Sequence, residues 1–122
     1  MIAVLIRTVP GMNVRENWRQ RARRVKAERH AAAWMLKGQP KPNTPCSVRL
    51  TRVAPSNGLD DDNLAGALKA VRDQVAEWIM VDDKRRDLVL YVYAQRRGPW
   101  AVEIEFGELR AAAPFVPLTE AA

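Results

Sequence analysis

Three adjacent aspartates, Asp60, Asp61 and Asp62, stand directly before Asn63, and a second acidic pair, Asp82 and Asp83, follows further along the chain. Carboxylates crowded in this way repel one another unless a cation holds them, and their oxygens suit hard divalent ions. Asp60 and Asp62, two apart in an extended or turning segment, can address the same ion, with Mg²⁺ expected and Mn²⁺ as the substitute. The competing reading is structural. Asp61 or Asp62 caps a helix at the positive end of its dipole, and Lys69 with Asp73 makes an ordinary surface pair. One carboxylate suffices for a cap, whereas three are present. The spacing argues against a calcium loop, because Asp60 to Asn63 lacks the 12-residue ligand spacing and its terminal glutamate.

The element that must position these groups is a helix from about Asn63 to Met80. At 100° per residue, Leu64, Leu68, Val71, Val75 and Trp78 share one face. Asp62, Gly66, Lys69 and Asp73 share the opposite one, with Gly66 leaving room for close approach to the backbone. Upstream, the apolar stretch Ile2 to Thr8 predicts a strand closed by Pro10-Gly11. Asn13 then caps a helix running to Lys37, in which Val14, Trp18, Ala22, Val25, Ala32 and Leu36 recur at helical spacing. A three-proline connector, Gln39 to Pro45, leads to an alternating strand, Cys46 to Val53, and Pro55 to Gly58 turns the chain. Two last strands, Leu88 to Gln95 and Trp100 to Phe106, are predicted to pair as a hairpin through Arg96-Arg97-Gly98-Pro99. The expected fold is α+β, a single small domain with a mixed sheet covered by two main helices in the order β-α-β-α-β-β. It spans residues 1–109, and the Ala- and Pro-rich tail, 110–122, reads as lying outside the ordered domain.

The first helix carries Arg15, Arg19, Arg21, Arg23, Arg24, Lys26, Arg29 and Lys37 against Glu16 and Glu28. Eight positive minus two negative charges equals the +6 of the whole chain, whose pI is about 10.1. Solvated faces usually mix signs, so this bias favours a phosphate-facing surface. Arg15, Arg19, Arg23, Arg24 and Lys26, with Arg96 and Arg97 at the hairpin tip, are the expected nucleic-acid contacts.

At 122 residues the chain is the size of one domain. Its longest apolar run, Ile2 to Ile6, is far below the roughly 20 residues that cross a bilayer, so no membrane association and a cytoplasmic location are expected. The lone Cys46 offers neither a disulfide nor a zinc knuckle and reads as a buried strand residue, while the lone His30 reads as a surface position.

The pattern Asp60-x-Asp62-Asn63, the helix segment Lys69 to Asp73 and the following Val81-Asp82-Asp83 resemble the core signature of RusA-like Holliday junction resolvases. Trp18 among arginines in the Asn13 to Arg24 segment is similar to the family's amino-terminal Asn and Trp region. The resemblance implies an Mg²⁺-dependent endodeoxyribonuclease that resolves branched DNA in recombination and repair, working as a two-fold homodimer without a small-molecule cofactor. It assigns Asp60, Asp62 and Asp83 as metal ligands and, with Lys69, as the catalytic set; Asp82 is the alternative to Asp83. One departure stands out. Lys69 comes seven residues after the second aspartate rather than four, one turn or roughly 4.5 Å further along the helix.

Residues at the two ends of such a helix lie roughly 25 Å apart, yet ligands of one ion sit within a few ångströms. Either the helix ends early and the chain doubles back, or a second subunit, antiparallel about a two-fold axis, supplies the missing carboxylate; the dimer is the favoured expectation. Two rival readings stay open. One is a nuclease-like DNA-binding protein that does not cut, and the other is a basic RNA-binding module whose aspartates only cap a helix.

Overall fold

The structure is a computed structural model that describes residues 1–9, 16–82, 84–109, 115, 117 and 118. Its elements are β1 (Ile2–Val4), α1 (Trp18–Leu36), β2 (Cys46–Ala54), α2 (Asp61–Ile79), β3 (Val89–Arg97) and β4 (Ala101–Gly107). The four strands form one mixed sheet in the order β1-β4-β2-β3. β2 runs parallel to β3, as the intervening helix α2 requires, and antiparallel to β4, which is antiparallel to β1.

Alternation decides which face the helices cover. Cys46, Val48 and Leu50 of β2, Val102 and Ile104 of β4, and Ile2 and Val4 of β1 join Ala32 and Leu36 of α1 and Leu64, Leu68, Val71 and Val75 of α2 in one core. Trp78 closes its edge, stacked on Phe106 with ring centroids 5.8 Å apart. The apolar face expected for α2 is therefore the one it buries. The other sheet face carries ion pairs, Arg49 with Glu105 and Arg96 with Glu103. Cys46 is buried, His30 is exposed, and among the described residues no helix is long and apolar enough to cross a membrane.

The expected hairpin is absent: β3 and β4 flank β2 on opposite sides and share no register. β2 is buried along nearly its whole length, so it takes the centre of the sheet. The chain steps across its carboxyl end from Arg97, partner of Ala54, to Ala101, partner of Val53. That step covers two strand spacings, about 10 Å, which Gly98 to Trp100 just span. Gly98 passes so close over β2 that a Cβ there would meet Val53 Cγ1 at 2.9 Å.

α1 starts later than expected, at Trp18. Asn17 is its cap, accepting from the Gln20 amide at 2.9 Å while the Gln20 side chain accepts from the Asn17 amide at 3.0 Å. The expected cap Asn13 and helical Val14 lie outside the described residues. Only the carboxyl half of α1 reaches the core, through Glu28, Ala32 and Leu36. Trp18, placed in the apolar repeat by its spacing, is 75% exposed, and Ala22 is exposed too, on an open groove that they line with Gln74 and Glu77 of α2. Part of the tail docks: Leu118 donates to the Phe106 carbonyl at 3.0 Å, and Arg49 lies over the Phe115 ring.

Candidate functional site

α2 begins at Asp61, and its cap is Asp60 rather than Asp61 or Asp62: the Asp60 carboxylate accepts from the Asn63 amide at 2.9 Å. Asp62 is accordingly a first-turn helical residue, not part of an extended lead-in. All three aspartates are exposed, and Asp61 and Asp62 make no side-chain hydrogen bond or ion pair among the described residues. Asp61 and Asp62 lie in the first turn, where the helix dipole favours negative charge. The approach to this end is fixed by Gln95, whose amide bonds both the N–H and the carbonyl of Leu59.

At the far end α2 stops on Met80 in the left-handed conformation (φ 67°), and Asp82 accepts from the Lys84 amide at 2.9 Å. Asp83 lies outside the described residues. The helix is unbroken over 19 residues, roughly 28 Å. Asp60 and Asp62 therefore stay far from Asp82 within one chain. Among the described residues no three His, Cys, Asp or Glu side chains are grouped to hold a metal ion. The two expected ligands at the start of α2, Asp60 and Asp62, are by themselves an incomplete set for Mg²⁺.

Between the ends, Gly66, Lys69, Ala70 and Asp73 line a cleft against Arg21, Arg24, Val25 and Glu28 of α1. Gly66 is exposed on this cleft. Lys69 is mostly exposed and donates to Asp73 at 2.8 Å; Asp73 also meets Arg72 at 3.4 Å. Glu28 was not singled out by sequence, yet it is 4% exposed and its Oε1 has no hydrogen-bond partner among the described residues. Arg24 bonds its other oxygen at 2.9 Å and Glu16 at 2.6 Å. Burial raises the Glu28 pKa, against the lowering effect of Arg24, while the bond from Arg24 lowers that of Glu16.

The expected nucleic-acid contacts divide by how they are engaged. Arg19, Arg23 and Lys26 project from α1 into solvent, with Arg19 also over the Trp18 ring. Arg24 is committed to its two glutamates, and Arg96 to Glu103. Arg97 is exposed at the end of β3, and Arg15 lies outside the described residues.

Arg52 is the other residue the sequence did not flag. Its position continues the helix-facing side of β2 after Leu50, and its pairing partners are Gln95 of β3 and Val102 of β4. A charged residue at a core-facing parity was the available signal. It is buried, its Nε donates to Thr8 Oγ1 at 3.0 Å, and burial lowers its pKa.

No family model, curated protein or solved structure matches this chain.

Proposed function

We propose that the chain is a metal-dependent endodeoxyribonuclease of the RusA-like resolvase kind, acting as a two-fold homodimer on branched DNA. The observation that carries this reading is the placement of acidic groups at both ends of one unbroken helix in a chain whose surplus charge is positive. Two such helices packed antiparallel would set Asp60 and Asp62 of one protomer beside Asp82 and Asp83 of the other. The set that is incomplete in one chain would then be complete twice over. Mg²⁺ bound there would make a water nucleophilic near neutral pH and offset phosphorane charge. Lys69, on the same helix face as Asp62, would meet the developing charge from the protein side once drawn from Asp73.

A four-way DNA junction has symmetry-related strands, and two matched sites suit its paired incision. Arg19, Arg23 and Lys26 on α1 are placed to hold the arms by phosphate contacts, which read shape rather than base sequence. The test is cleavage of a synthetic four-way junction with Mg²⁺ by the wild-type chain and by Asp62→Asn. Cutting by the wild type alone, with junction binding kept by both, supports the proposal. An intact junction after incubation with either protein would favour the second reading, a DNA- or RNA-binding module that does not cut, in which Asp60 serves only as the cap it provides.

A further inference from the structure

Arg24, Arg29, Arg49, Arg72 and Arg96 each meet a carboxylate. Arg52 is more buried than any of these, at 3% exposure, and meets none among the described residues. Thr8, itself buried, takes only its Nε–H, which leaves the two terminal nitrogens of the guanidinium without an acceptor among the described residues. Beside it stands the Trp100 ring, whose centroid lies 5.5 Å from Arg52 Cζ. A second guanidinium, that of the exposed Arg7, sits 5.2 Å from the same ring, and it too has no carboxylate among the described residues.

Two like charges gathered on one indole repel each other, and a buried cation without a counter-charge is costly. An anion beside both relieves the two penalties together. We propose that Arg7, Arg52 and Trp100 form an oxyanion site for a phosphate group. The planar guanidinium fork matches two phosphate oxygens, and the Trp100 ring holds both guanidinia in place beside them. The site lies at the carboxyl end of β2. Gln95, the neighbour of Arg52 across the ladder, clasps Leu59, one residue before Asp60. A phosphate held here would therefore stand on the same side of the sheet end as the acidic start of α2. Its assignment to a nucleic-acid backbone rests on the proposed function, whereas the oxyanion site itself does not.

The test follows the Trp100 indole N–H by NMR in the full ¹⁵N-labelled chain, assigned with Trp100→Phe. It is titrated separately with inorganic phosphate and with a short single-stranded oligonucleotide. A saturable shift with the oligonucleotide identifies a backbone phosphate as the ligand, and one with inorganic phosphate alone identifies the free ion. Arg7→Gln, at an exposed position, is expected to weaken binding at least tenfold, and Arg52→Lys, which keeps the charge but loses the fork, at least fivefold. No shift with either ligand, or an Arg7→Gln protein that titrates like the wild type, overturns the site. Failure of the wild type to cut a junction while the Trp100 response persists would remove the nuclease reading and leave this one standing.

Discussion

Gln95 grips Leu59 by both ends of its amide: Oε1 accepts from the Leu59 N–H at 2.8 Å, and Nε2 donates to the Leu59 carbonyl at 2.7 Å. The clasp joins the end of β3 to the residue before the α2 cap, so the position of Asp60 is set by the sheet as well as by its own helix. Gln95→Ala should cost about 1 kcal/mol, in line with two exposed hydrogen bonds, and should free the Leu59 amide. Urea denaturation and amide exchange at Leu59 check both. Unchanged protection at Leu59 would mean that the helix start holds itself.

Glu28 should make stability depend on pH in a direction that can be worked out. Burial raises its folded-state pKa above the ordinary 4.5, so the folded protein holds this proton more tightly than the unfolded chain. Its contribution is full below the unfolded value and is lost as pH rises through the folded one. Denaturation midpoints measured upward from pH 4.5 should fall with a component that Glu28→Gln removes. Identical profiles for the two proteins would contradict a buried, proton-holding Glu28.

The arginines of α1 should separate into two kinds. Replacing the solvent-facing pair, Arg19→Gln with Arg23→Gln, should reduce the log–log salt dependence of DNA binding by about two, one for each phosphate no longer neutralised. Arg24→Gln should instead leave that slope nearly unchanged and cost about 2 kcal/mol of stability, because Glu28 is deprived of the cation that bonds it. Fluorescence anisotropy over a salt series, with denaturation alongside, distinguishes the two outcomes.

Gly98→Ala tests the step across β2. The added Cβ would lie 2.9 Å from Val53 Cγ1, a side chain fixed in the sheet, so the strap must shift. A loss of about 1 to 3 kcal/mol is expected in thermal or urea unfolding, whereas a simple hairpin turn would accept the change at little cost.

What could be read from the chain, and what could not, follows from the range of the forces involved. The faces of α2 were legible because Leu64, Leu68, Val71 and Val75 repeat locally at helical spacing and bury as a set. The element order was legible from strong punctuation, such as the prolines between α1 and β2. The β3–β4 connection is not legible locally, because adjacency in sequence favours pairing the two strands, whereas β2, buried along its length, lies between them. The same local rule placed Trp18 in the apolar repeat of α1, since periodicity cannot say which turns of a helix reach the core. At the site, the acidic groups at either end of α2 were visible as clusters. Glu28 and Arg52 were not, because their burial arises from helix–helix and strand–strand packing between residues distant in the chain.

The proposed nuclease would take the carboxylates of each cutting site from two chains. Mixing refolded Asp62→Asn protein with Asp82→Asn/Asp83→Asn protein tests it most directly. A heterodimer of the two has one site carrying both lesions and one carrying none, so Mg²⁺-dependent nicking of a four-way junction should reappear in the mixture although each parent is inactive. A mixture as inactive as its parents, with subunit exchange verified, would contradict the composite site.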